Sequence, residues 1–101
     1  MSNVIVLAEF ELLTPAGRYD IVEHRPTPDG VGKVRVFLVT LDGDELGWAY
    51  ERLTPPPRPH LHRFSLDTPN GMSLMQTGGD TLAEAADALL AHRRWLDHHH
   101  R

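Results

Sequence analysis

The chain contains no cysteine, a single lysine (Lys33), and no apolar run near the roughly 18–20 residues that a membrane span needs. Each absence excludes something. Without thiols, neither disulfides nor thiolate-bound zinc can brace the fold, which is the pattern of a reducing setting, cytoplasm or virion. Val4–Ala8 is apolar, but no basic segment precedes it and Glu9 and Glu11 follow, so it does not read as a signal peptide. A basic excess is missing too. The formal charge is −4, and all of it falls in residues 1–50, because six arginines balance six acids in residues 51–101. Dedicated nucleic-acid binders draw most of their affinity from neutralising phosphates, so this balance disfavours that class unless a local patch supplies it.

What is present fits one small globular domain. At 101 residues, 41% hydrophobic and 24% charged, the chain can bury one modest core. We read residues 1–96 as a single α+β domain and 97–101 as a His-rich tail.

Punctuation by glycine and proline divides the first three quarters into short strands. Residues 3–13 form the first, ended by Pro15 and Gly17, and residues 18–24 the second. Pro26-Thr-Pro-Asp-Gly30 is a turn in which proline fixes φ and Gly30 supplies a positive one. Residues 33–41 are apolar on both faces in their later half, Val36 and Leu38 on one and Phe37, Val39 and Leu41 on the other. That marks a central strand. Asp42-Gly-Asp44 then turns the chain into residues 45–53, where Leu46, Trp48, Tyr50 and Arg52 alternate with Glu45, Gly47, Ala49 and Glu51. Four prolines within residues 55–59 make a stiff extended loop. Residues 60–66 and 72–76 form a last hairpin across Asn70-Gly71.

Residues 78–96 are the helix. Gly78-Gly79 stops the strand, Thr81 and Glu84 have capping-box spacing, and Asp80 adds negative charge at the N-terminal end. Leu82, Ala85, Ala86, Leu89 and Leu96 form a stripe at 100° per residue, shared by Arg93; Trp95 lies off it with several alanines. The expected fold is therefore an antiparallel meander of five or six strands with this helix on one face.

No chemical constellation stands out. His60 and His62 share a strand face, but a metal site needs three or four ligands and nothing places His24 beside them. Ser65 and Ser73 lack a nucleophile elbow and a positioned acid. Asp42, Asp44 and Glu45 match only a fragment of a calcium loop. A phosphate at Gly78-Gly79 would meet Asp80 and Glu84. No cofactor, metal or catalytic residue is expected. Trp48 and Tyr50 read either as core aromatics beneath the helix or, with Arg52, as a protein-binding strand face. Trp95 offers a second contact, on the helix. Arg58, His60, His62, Arg63, Arg93 and Arg94 are the local basic residues a nucleic-acid reading would use.

Two resemblances attach to particular stretches. Leu41-Asp-Gly-Asp-Glu-Leu-Gly47, followed by a loop, a hairpin and an Ala/Leu helix before His92, is similar to small βββα modules of actinobacterial and actinophage chains. Phe64-Ser-Leu-Asp-Thr-Pro-Asn-Gly71 with Gln76-Thr-Gly-Gly-Asp-Thr-Leu-Ala-Glu-Ala85 resembles the strand-to-helix segment of HicB-type antitoxins. The first implies the fold; the second implies an antitoxin that binds a toxin. The leading expectation is a small non-enzymatic accessory protein of phage or mobile-element kind. It would work in the host cytoplasm or virion by contact with another protein or with its own copies.

Overall fold

The computed structural model describes residues 5–25, 34–52, 63–71, 73–74 and 79–99. It contains strands β1 (Val6–Thr14), β2 (Gly17–His24), β3 (Val34–Leu41), β4 (Asp44–Arg52) and β5 (Phe64–Asp67), then helix α1 (Leu82–His99). The strands form one antiparallel sheet in the order β1-β2-β3-β4-β5, with α1 packed on one face. This is the expected α+β meander, and β3 is its central strand. Of the last hairpin, the described part keeps β5 and an isolated bridge between Asp67 and Ser73, which gives five strands among the described residues. The turn at 26–30, the proline segment at 55–59, and Arg58, His60 and His62 lie outside the described residues.

Turn chemistry sets the register. Asp42 (φ 52°) and Gly43 (φ 85°) both take positive φ, the type I′ geometry that suits a two-residue hairpin between Leu41 and Asp44. At the β1–β2 turn, the Thr14 hydroxyl accepts the N–H groups of Ala16 (3.1 Å) and Gly17 (3.3 Å).

Side-chain size on β4 decides where the helix sits. Gly47 and Ala49 point to one face, Trp48 and Tyr50 to the other, and only the small face admits a helix at close range. Ala85, Ala86, Leu89 and Leu90 of α1 are buried there against Tyr19, Ile21, Phe37, Val39, Ala49, Phe64 and Leu66. Trp48 and Tyr50 are therefore not beneath the helix. A β-bulge at Leu46 of β4, opposite the Val39–Thr40 step of β3, also turns Leu46 away from the face of Trp48 and into the core. At the contact itself a Cβ on Gly47 (φ 146°) would run into the Asp67 carbonyl oxygen and come within 2.8 Å of Leu89 Cδ2.

The helix stripe differs from the expected one in two places. Leu90 is buried, and Ala88, which the 100° spacing puts off the stripe, packs on the core. The helix also starts four residues later than expected and runs on through His99. Its cap is half of a capping box. Glu84 N–H donates to the Thr81 hydroxyl (3.1 Å), but the Thr81 hydroxyl donates back to the Glu84 carboxylate (3.2 Å). Asp80 accepts the backbone N–H of Arg63 (3.2 Å), tying the helix start to the start of β5.

Two polar devices finish the core. Asp87 of α1 accepts from both the Tyr19 hydroxyl and the Thr14 hydroxyl (2.6 Å each), which latches the helix to the first hairpin. Burial first, then the hydrogen bond and charge of Asp87, push the Tyr19 hydroxyl up to about 12. On the same sheet face, Arg35 makes a two-pronged contact with Glu23 (2.9 Å each) and approaches Glu51 (3.6 Å), which in turn pairs with Arg63 (3.3 Å). The hydrogen bonding from Arg35 outweighs burial and holds the Glu23 carboxyl below its usual range. Neither device was evident in the sequence.

Candidate functional site

With α1 on one face, the other face of the sheet carries two cross-strand rows. One reads Glu9, Val22, Leu38, Trp48, Asp67 from β1 to β5; the next reads Val6, His24, Val36, Tyr50, Ser65. Cross-strand partners share a face, so these side chains form one surface. No described element packs on it. Its centre is apolar and half-buried, and the acids sit at its ends.

Tyr50 is fixed within this surface. Burial chiefly, then the charge and hydrogen bonding of the Asp67 carboxylate, raise the pKa of its hydroxyl above the ordinary value. Trp48 and His24 reach over β3 toward one another, their rings meeting edge to face at 5.1 Å. Both His24 ring nitrogens are shielded from water, and neither has a hydrogen-bond partner among the described residues. Buried polar atoms are almost always paired, so this imidazole is a point of unmet hydrogen-bonding capacity in an otherwise apolar patch. Arg52 continues the alternation of Trp48 and Tyr50 at the end of β4, and its N–H donates to the Arg63 carbonyl oxygen (3.0 Å). The structure thus brings Trp48, Tyr50 and Arg52 onto one face and adds Val22, His24, Val36 and Leu38. Strict alternation along β2 and β3 carried that signal, read one strand at a time.

Trp95 is elsewhere. It stands on the solvent side of α1, 54% exposed, stacked between His92 (6.1 Å) and His99 (4.4 Å). The helix lies between it and the sheet, so Trp95 and Trp48 cannot belong to one contact surface.

The basic residues also divide. Arg63 sits beside the helix start through Asp80 and is paired with Glu51. Arg93 pairs with Asp97 (3.6 Å) and reaches the Glu45 carbonyl oxygen (3.4 Å). At 1.5 Å per residue, the 11 helical steps from Leu82 put Arg93 about 16 Å along the axis from the helix start. Arg94 is exposed, on the turn after Asp87 and Leu90. These arginines do not make one basic surface.

Among the described residues there is no cluster of three or more His, Cys, Asp or Glu able to hold a metal, and no helix long and apolar enough to cross a membrane. Comparisons with protein-family models, with curated proteins and with solved structures returned no match. The class that the fold defines is an α+β meander with a single covering helix.

Proposed function

We propose that this chain is a non-enzymatic protein-interaction module whose docking surface is the sheet face opposite α1. One observation carries the reading: Val22, Leu38 and Trp48, with Val36 and Tyr50 beside them, form an apolar surface spanning β2 to β4 that no described element covers. A sheet apolar on both faces is normally sandwiched between two layers, and a partner protein would supply the second. Trp48 and Tyr50 serve as anchors, since large aromatics with a polar edge dominate binding energy at interfaces. Arg52 belongs to the rim, and the His24 ring, set edge to face against Trp48, backs the apolar patch. The partner is another protein, a host or virion component, or a second copy of the chain. A toxin, the partner an antitoxin-like role would require, is one special case. Trp95 is a separate, smaller contact on the far side.

The rival reading, nucleic-acid binding through Arg63, Arg93 and Arg94, has less support. The first two are engaged in ion pairs, and the aromatic face has Glu9 and Asp67 at its ends. Salt separates the readings. A gel shift with single-stranded or duplex DNA that appears at low salt and weakens steeply as salt rises would favour nucleic acid and contradict the proposal. Absence of a shift at low salt, with retention of a protein partner that Trp48→Ala abolishes, is the expected result.

A further inference from the structure

The sheet has two unlike edges. Beyond β5, Ser73 bridges Asp67 and the Leu74 N–H donates to the Leu66 carbonyl oxygen (2.6 Å), so that edge is partly covered. β1 is paired only with β2, and its other side has no partner among the described residues. Edge strands are usually protected from pairing with further chains. Here five of the six large apolar side chains exposed among the described residues, Ile5, Val6, Leu7, Phe10 and Leu13, lie along this edge. A bulge at Leu7 leaves Ala8–Thr14 as the regular part.

Charge decides what could pair there. Glu9 and Glu11 share a face of β1, with Asp20 beside Glu11 on β2, and a shallow groove of about 360 Å³ runs past them and Phe10. Pairing with a second copy along Val6–Thr14 is opposed in the three registers nearest full overlap that keep the faces matched. The full-length register sets Glu9 against the copy's Glu11 twice; a two-residue shift either way sets Glu9 or Glu11 against itself. Like charges directly opposite one another destabilise a strand pair. Arg18 touches Glu11 at 3.5 Å with both side chains well exposed, a contact easily displaced. Glu9 has no ion-pair partner among the described residues.

We propose that the free edge of β1 accepts an extended segment of a partner protein that bears basic residues at two alternate positions. Running antiparallel to β1, such a strand reads apolar–x–basic–apolar–basic. Its basic residues face Glu11 and Glu9, one apolar residue covers Leu13, and the apolar residue between the two bases covers Phe10. Backbone hydrogen bonds supply affinity and the two carboxylates supply selectivity. This edge adjoins the aromatic face at Glu9, but its contacts are the β1 backbone and the two carboxylates, and the inference does not rest on that face being a docking site.

The test uses fluorescein-labelled decapeptides and the full chain, read by anisotropy at low salt. One peptide carries lysine at two alternate positions in a valine and threonine background; a second has glutamate in their place; a third is the lysine peptide with alternate backbone N-methylation. The lysine peptide binds, and the other two bind at least about tenfold more weakly. Glu9→Lys/Glu11→Lys, both at exposed positions and checked for fold by circular dichroism, reverses the preference between the lysine and glutamate peptides. Trp48→Ala leaves lysine-peptide affinity unchanged. The proposal is overturned if the lysine peptide does not bind, if N-methylation has no effect, or if the charge-reversed chain binds the lysine peptide as before.

Discussion

At the scale of single residues, the polar contacts inside the core make the sharpest predictions. Tyr19 is fully buried and donates to Asp87, so Tyr19→Phe removes a charge-assisted hydrogen bond and leaves the aspartate short of a donor. A loss of about 1.5–3 kcal/mol in urea unfolding is expected. The sign of the pH effect follows from the raised pKa. The hydroxyl is neutral in both states below pH 10, where its contribution is complete, and that contribution fades as pH rises through about 12. Alkaline titration of the Tyr19→Phe variant should lack this component. Glu23 has the opposite sense: its folded pKa is depressed, so its contribution is present above the ordinary carboxylate range and lost as acid protonates it. Its partner Arg35 is 47% exposed, which moderates what the pair contributes. Arg35→Met alone should cost about 1–3 kcal/mol by stranding a buried carboxylate, less than for a fully buried pair. The double variant Glu23→Leu/Arg35→Met should recover most of that loss.

Elements were more legible in the sequence than the contacts between them. Turn residues and alternation located the five strands and the centrality of β3, because Gly, Pro and Asp act locally. Which face α1 covers was less legible, although β4 carried the information. Its Gly47 and Ala49 alternate with Trp48 and Tyr50, and steric access selects the small side. The bulge that sends Leu46 into the core broke the expected alternation, and a bulge depends on pairing with β3 rather than on any residue of β4 alone. The Asp87 latch and the Glu23–Arg35–Glu51–Arg63 ladder join residues distant in sequence, so no local pattern encodes them. Gly47 tests the helix–sheet contact. Gly47→Ala places a methyl group against the Asp67 carbonyl oxygen and Leu89 in a backbone conformation that L side chains rarely adopt. A destabilisation of about 3 kcal/mol or more is expected, measured by denaturant midpoint at constant slope.

The whole molecule presents two faces with different tasks. One packs α1, with Leu89 of the helix fitting over Gly47, and the other gathers Val22, Val36, Leu38, Trp48 and Tyr50 on a surface that no described element packs on. The account's central claim is that this second surface binds protein. Its most direct test is quantitative affinity capture from the native host with the immobilised chain, its Trp48→Ala variant and its Trp95→Ala variant. Each is first checked for helical and sheet content and for molecular mass in solution. The account predicts a protein held in stoichiometric amount by the wild-type chain and by Trp95→Ala and lost with Trp48→Ala, or a dimer mass that Trp48→Ala reduces to a monomer. A monomeric chain that retains the same proteins with and without Trp48 would contradict it.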